Sequence, residues 1–289
     1  MNNTKSLNKN TVSINIEGGL GNQLFKIFFI MSYSINHNKK FIINEYLQNQ
    51  DSSILDPRHT YWTNIFKNII NNRFDNNKTN LDFTNKYYEQ TEFYYNEIPF
   101  FDTDTIFYGY YQNYRYFDNN YDKIVSLLNL NDLKIDIFNK CLKNKHTISM
   151  HFRLGDYKNL KDIFILLNIN YYIQALQHIV DNDIYKCNEV LCVYEYQDEH
   201  EINSIIEQLK NKFPTIIFNK ISHQLEDWEQ LLLMSVCQHN IIANSTFSWW
   251  GAYINTNINK IVCYPEKWFV NSKNEQSGLS IAKWKMIQN

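Results

Sequence analysis

Thr147-Ile-Ser-Met-His-Phe-Arg-Leu-Gly-Asp-Tyr157 passes from apolar strand to charged loop within a few residues. Ile148, Met150, Phe152 and Leu154 alternate with Thr147, Ser149, His151 and Arg153, so a period of two predicts a strand carrying His151 and Arg153 on one face. Gly155 ends it. In an α/β sheet, ligand crevices open outside the carboxyl ends of the strands, which makes the Gly-Asp-Tyr turn a candidate site edge. An Arg followed closely by an Asp is equally compatible with a surface ion pair that closes a strand.

Downstream, Tyr171 to Val180 and Glu201 to Lys212 repeat apolar residues at helical spacing, while Val190 to Tyr194 and Thr215 to Phe218 read as strands. Trp228 to Gln238 reads as a further helix, with Asp227 as its N-cap. Strands alternating with helices of this length predict an α/β fold, a parallel sheet covered on both faces. Asn240 to Tyr253 is again a strand whose polar turn feeds an aromatic helix. Asn244, Ser245, Thr246 and Ser248 can cap that helix or hold an anionic ligand. Trp249 and Trp250 read as core.

Upstream, Val12 to Ile16 is a short strand, followed by Glu17-Gly-Gly-Leu-Gly-Asn-Gln23 and an apolar helix from Leu24 to Ile35. Gly18, Gly19, Gly21, Asn22 and Gln23 form either a tight turn using glycine torsions or a backbone cradle for an anion. The dinucleotide fingerprint is absent, because Leu24 stands where its third glycine belongs. Phe41 to Asn44 is a second strand, and Glu45 to Pro99 shows no sustained period, so short helices and loops are expected there. Asp102-Thr-Asp104 resembles an Asp-x-Asp metal clamp but reads better as a solvated turn before the strand Thr105 to Tyr111. Phe117 to Lys140 reads as helix, interrupted near Asn129 to Asn131. The domain boundary is placed at 144, giving lobes 1–144 and 145–289.

The 289 residues suffice for two ordinary domains, and 44% hydrophobic content supports a sizeable core. A formal net charge of -2 supplies no basic field, so nucleic acid is not an expected partner. Cys141, Cys187, Cys192, Cys237 and Cys263 contain no Cys-x-x-Cys pair and suggest neither a disulfide framework nor a zinc site. The run Leu24 to Ile35 is too short to span a bilayer, and the Asn-rich first ten residues do not resemble a signal peptide. Cytoplasmic location is the expectation. The sequons at Asn2, Asn77 and Asn244 then carry no glycosylation meaning.

Several blocks, taken in order, carry a family likeness: Glu17 to Phe25, Gly109 to Gln112 with Tyr116-Phe117, His151 to Tyr157, Leu233 to Ser235, Ile241 to Ala252, and Pro265 to Phe269. Together they resemble the motifs of the α-1,2-fucosyltransferases, glycosyltransferase family 11. The resemblance runs from about Asn15 to Phe269. It implies two Rossmann-like lobes of glycosyltransferase B type (GT-B), the first on the acceptor side and the second binding donor. The implied reaction is inverting, metal-independent transfer of L-fucose from GDP-fucose to a galactose 2-hydroxyl on a glycan acceptor. Three departures stand out: Leu154 where the family has a second Arg, Tyr194-Glu-Tyr196 where it has acidic residues, and Gln230 where it has Asp.

For such chemistry Arg153 would meet the departing diphosphate, together with helix N-termini after Gly21 and Asn244. His151 would contact nucleotide or phosphate. Asp156 would take the acceptor's proton or orient Arg153. Glu195 or Glu229 could accept the N–H groups of guanine. Another deoxysugar nucleotide as donor, or a non-catalytic sugar-nucleotide or glycan-binding protein, are the competing readings.

Overall fold

The computed structural model describes residues 10–45, 60–75, 83–91, 93–142, 144, 146–271 and 278–289. Asn2, Asn77, Lys145, residues 1–9 of the polar start and much of the 45–99 segment lie outside the described residues.

In the first unit β1 (Thr11–Ile16) leads into α1 (Leu20–His37), then β2 (Lys40–Glu45), β3 (Arg73–Asp75), β4 (Asn85–Tyr88) and β5 (Thr105–Tyr108). These form one parallel sheet in the order β3-β2-β1-β5-β4. The central β1 is buried almost throughout, as expected of a parallel strand covered on both faces. Helix α1 begins at Leu20, four residues before the expected Leu24, so Gly21, Asn22 and Gln23 form its first turn. Gly18 makes this possible with a φ of +80°, and the Gln23 amide closes the first turn on Gly19 O at 3.0 Å. Strand β5 stops short of the expected Tyr111. Gly109, at φ +142°, turns the chain, and the Glu89 carboxylate takes the amides of Tyr110 and Tyr111 at 2.8 and 3.0 Å.

Two helices follow, α2 (Tyr121–Leu128) and α3 (Leu130–Cys141). The break between them is Asn129 in the left-handed region, φ 56°, where the polar interruption was expected. The chain divides into two compact units between Asn131 and Asp132, with Gly278 and Leu279 counted in the first. Residue 144, the expected boundary, therefore lies inside the second unit.

The second unit holds β6 (Thr147–His151), α4 (Ile169–Asn182), β7 (Glu189–Val193), α5 (Glu199–Lys212), β8 (Ile217–Lys220), α6 (Asp227–Ser235), β9 (His239–Ile241), α7 (Thr246–Tyr253), β10 (Val262–Pro265) and β11 (Lys285–Ile287). Its sheet is parallel, in the order β11-β10-β9-β6-β7-β8. Strand β6 is central and buried on both faces, so its alternating polar set does not face solvent. It ends at His151 rather than Leu154, because Gly155 at φ +30° opens a short 3₁₀ turn. Helix α6 is capped by Glu226 and not by Asp227: Glu226 and Glu229 form a capping box, the Glu229 carboxylate accepting the Glu226 amide at 2.9 Å.

Helix α7 is anchored at its C-terminal end. Lys134 donates to Ile254 O at 2.8 Å, and Lys260 donates to Ala252 O at 2.7 Å and to Asn255 O. Two cations on the last carbonyls complement the helix dipole. Burial lowers both ammonium groups to about 8. Trp249 and Trp250 are fully buried.

Gly109 offers a test of the first unit. A Cβ built there would lie 2.4 Å from Glu89 Cβ, and the positive φ disfavours any side chain. Gly109→Ala is expected to cost about 1–3 kcal/mol in chemical denaturation. Wild-type stability of the variant would show that Glu89 does not pack as described.

Candidate functional site

The polar residues of the second unit gather at the carboxyl ends of β6 and β7. Arg153 follows β6, Glu195 follows β7, and the parallel pairing of these two strands brings them together across 42 residues of sequence. Arg153 donates one terminal nitrogen to Glu195 and the other to Asp156, at 2.5 Å for Asp156. Its guanidinium also lies over the Tyr157 ring, 4.9 Å from the centroid. Tyr157 is fixed in turn by stacking on Phe164 at 4.1 Å and by donating its hydroxyl to Asn244 O at 3.0 Å. Glu195 can come this close because residue 155 is glycine, where a Cβ would stand 2.9 Å from Glu195 Oε2.

Among the described residues, the polar atoms buried at this edge without a protein partner include Arg153 Nε, His151 Nδ1 and Asn244 Oδ1. Buried polar groups normally have partners, so an unspent guanidinium N–H beside an unspent imidazole nitrogen marks a place for a ligand. His151 is held neutral, its pKa lowered to about 3 by burial and then by the charge of Arg153. Below the edge, buried Asp198 accepts the Gly155 amide at 2.6 Å and pairs with Lys158 at 2.8 Å, while Lys158 also reaches Glu201 at 2.6 Å. Sequence reasoning missed Asp198 and Lys158. The visible signal was an acid three residues beyond Glu195, just before helix α5.

The residues around α7 divide. Ser245 is its N-cap residue, and its side chain makes no cap hydrogen bond, so the positive helix end is not capped from that position. Asn244 is fully buried and donates to Ile165 O and Trp268 O at 2.8 and 3.0 Å. Ser248 is also fully buried and accepts the Ala243 amide at 3.2 Å. The side-chain donors of Asn244 and the Ser248 hydroxyl are thus spent on protein, a correction to their expected role in holding donor. Ser245 and Thr246 remain at the helix start.

In the first unit, Gln23 donates its amide to Gly18 O at 2.8 Å and Asn22 accepts from Gln112 at 2.9 Å. The first and second of the family-like blocks of the sequence therefore meet. Their amides shape the turn of Gly18, Gly19 and Gly21 itself, and the N-cap residue Gly19 has no side chain to cap α1. Lys26, within the apolar run of α1, is almost fully buried, pairing with Glu17 at 2.7 Å beneath the Tyr110 ring at 4.6 Å. Burial lowers its pKa, and Glu17 opposes that shift. A lone Lys in an apolar helix was the available signal, since buried charges are paired.

Asp104 is not in a solvated turn. It is buried, and its carboxylate accepts the Thr11 amide at 2.7 Å, at the amino ends of β1 and β5. That leaves Asp102 alone on the surface and gives no clamp. Among the described residues Asp183, Cys187 and His239 approach within 4.8 Å of one another. His239 Nδ1 accepts the Ile261 amide at 2.9 Å, which makes Nε2 the protonated nitrogen, facing Asp183 Oδ1 at 2.9 Å. Asp183 also accepts the amides of Tyr185 and Cys187 at 2.7 and 2.6 Å. This is an internal polar clip with its ring lone pair already used. Glu229, in its capping box and paired with Lys140 at 2.6 Å, is likewise committed.

Compared with known proteins, residues 2–285 match the profile of the family described as Glycosyl transferase family 11. The chain belongs to that family. It is 26% identical to the O-antigen biosynthesis glycosyltransferase WbnK of Escherichia coli, over 93% of this chain and 98% of that protein. It is 23% identical to the alpha-1,2-colitosyltransferase of Escherichia coli, over 94% of this chain and 97% of that protein. Among solved structures it is similar to the ADP-heptose lipopolysaccharide heptosyltransferase II of E. coli, with a TM-score of 0.50 and 10% identity, covering 96% of this chain and 90% of that one. The two parallel sheets are the two Rossmann-like lobes of a GT-B glycosyltransferase, and the protein is an enzyme of that kind. No helix among the described residues is long and apolar enough to cross a membrane.

His151 has a measurable consequence. Its folded pKa lies below the unfolded value of about 6.5, so the unfolded chain binds the extra proton as pH falls and stability is lost between pH 6.5 and 3. From pH 7 to 5 this group alone should remove about 2 kcal/mol. Urea denaturation of His151→Gln should show an acid limb flatter by that amount. Parallel limbs for variant and wild type would mean that His151 titrates normally in the folded protein.

Proposed function

We propose that the protein transfers L-fucose from GDP-fucose to the 2-hydroxyl of a galactose-containing glycan, with inversion and without a metal. The observation that carries this reading is the unspent Arg153 Nε beside His151 Nδ1 at the end of β6. Breaking the anomeric bond puts charge on the departing diphosphate. A guanidinium in a partly buried site, with the start of α7 at Ser245 and Thr246, is preorganised to meet that charge.

The terminal nitrogens of Arg153 are held by Glu195 and Asp156. Like charges about 4 Å apart repel by about 4 kcal/mol at an effective dielectric near 20, so carboxylate and diphosphate cannot share the fork. Donor binding therefore displaces them. Glu195, released, becomes an acceptor for guanine N–H groups. Asp156, about a third exposed at 32%, becomes available as the base for the acceptor hydroxyl. Asp156 thus orients Arg153 first and takes a proton second.

A second reading is transfer of another deoxysugar, favoured by the relative named as a colitosyltransferase and by Leu154 in place of a second Arg. A thermal-shift panel separates them. GDP-fucose should raise the melting temperature more than UDP- or dTDP-sugars or other GDP-deoxysugars, and transfer should persist in EDTA. Stabilisation by UDP- or dTDP-sugars alone would overturn the fucosyl reading.

Two substitutions test the fork. Arg153→Lys keeps the charge but loses the planar pair of donors, and should lower turnover on the order of 10²-fold in a folded protein. Glu195→Gln should bind inorganic pyrophosphate more tightly, because a competing carboxylate is gone, while losing preference for GDP over UDP. Unchanged pyrophosphate affinity would show that Glu195 does not compete for the fork.

A further inference from the structure

The first unit contains a cavity that the proposed chemistry does not use. It has a volume of about 210 Å³ and lies beside the C-terminal half of α1, between Phe29 and His37 of that helix and the segments 95–98 and 115–119. Phe29 is already nine residues, about 14 Å along the axis, beyond the start of α1, so the cavity is separate from the glycine-rich turn.

Its aromatic walls are fixed from behind. The Tyr33 hydroxyl donates to Pro99 O at 2.9 Å and accepts the Phe101 amide at 3.2 Å. The Tyr116 hydroxyl accepts the Asn96 amide at 3.2 Å and donates to Tyr94 O at 3.3 Å. With the hydroxyls engaged elsewhere, the rings offer carbon surface. Tyr95 packs against Tyr116 with centroids 5.0 Å apart, and the Arg115 guanidinium lies over the Tyr95 ring at 4.3 Å.

The charged and amide groups of the rim, Arg115, Glu97 and Asn119, are exposed, and of these Arg115 is held over the Tyr95 ring. Among the described residues the Arg115 guanidinium, the Glu97 carboxylate and the Asn119 side chain have no hydrogen bond or ion pair. Arg115 supplies only donors, Glu97 only acceptors and Asn119 both. A phosphate would meet Glu97, and an amine would meet Arg115, so one charge of each sign disfavours either ion. What satisfies both is a neutral molecule with hydroxyls that donate and accept and with an apolar face for the rings. The volume is below the 300–1,000 Å³ usual for larger ligands, which leaves room for one sugar ring and not for a nucleotide.

We propose that this cavity is a second saccharide site, which takes one pyranose ring of a neutral glycan independently of the transfer chemistry. The ring lies against Tyr95 and Tyr116, with hydroxyls shared between Arg115, Glu97 and Asn119. Such a site would retain a glycan on the enzyme by residues away from its reacting end.

The chain has four arginines, so [15N]arginine labelling gives few Nε–H signals, and Arg115 is assigned from its absence in Arg115→Ala. Methyl β-D-galactoside, methyl α-D-glucoside and methyl α-L-fucoside are titrated without nucleotide. At least one should shift the Arg115 signal with a dissociation constant on the order of 1 mM. Tyr95→Ala should weaken that response at least several-fold, and Arg153→Lys should leave it unchanged. An Arg115 signal unmoved by every glycoside, or moved equally by inorganic phosphate, would overturn the proposal. Because no donor or turnover is involved, this outcome is independent of which sugar the enzyme transfers.

Discussion

Arg153 is stretched between two carboxylates, and the architecture of the second unit serves to hold it there. Parallel pairing of β6 with β7 sets Glu195 beside it, Gly155 leaves the space for that approach, and Asp198 fixes the Gly155 amide. Tyr157 supports the guanidinium from one face and is itself tied to the turn before α7. The result is a cation kept in place without being satisfied, since its Nε remains buried with no partner. Leaving such a donor unmade costs about 1–3 kcal/mol. On the proposed function that cost would be recovered on binding the diphosphate.

The second support is α7. Asn244 and Ser248 look like ligand-binding residues in the sequence but serve to stitch the strand-to-helix turn to neighbouring loops. Lys134 and Lys260 secure the other end of the helix through its carbonyls. A short helix fixed at both ends presents its first-turn backbone in one orientation, and that rigidity is what electrostatic preorganisation requires. Side chains in the turn thus position the helix, and the proposed function assigns its start to the diphosphate.

Much of this was legible in the sequence. Buried parallel strands read as apolar runs, so β1, β6, β7 and β9 could be located within a few residues, and their alternation with helices gave the α/β class. Arg153 was legible because a charged residue sits at the end of such a run. The start of α1 was not, since glycine and asparagine in Gly18 to Asn22 suggest a turn even where the first helical hydrogen bond has formed. Nor was the pairing of Arg153 with Glu195, which depends on the register of two strands 42 residues apart. Asp104 and Lys26 show the same gap: each is a charge whose partner, Thr11 or Glu17, is set by packing.

The central claim is that Arg153 exchanges carboxylates for a diphosphate. The most direct measurement is the Arg153 Nε–H resonance of [15N]arginine-labelled protein as GDP-fucose is added, assigned through Arg153→Lys. A large shift and slowed solvent exchange of that N–H are expected as it gains an acceptor, at the concentration where GDP-fucose raises thermal stability. An Arg153 signal that does not move while the nucleotide sugar binds would contradict it.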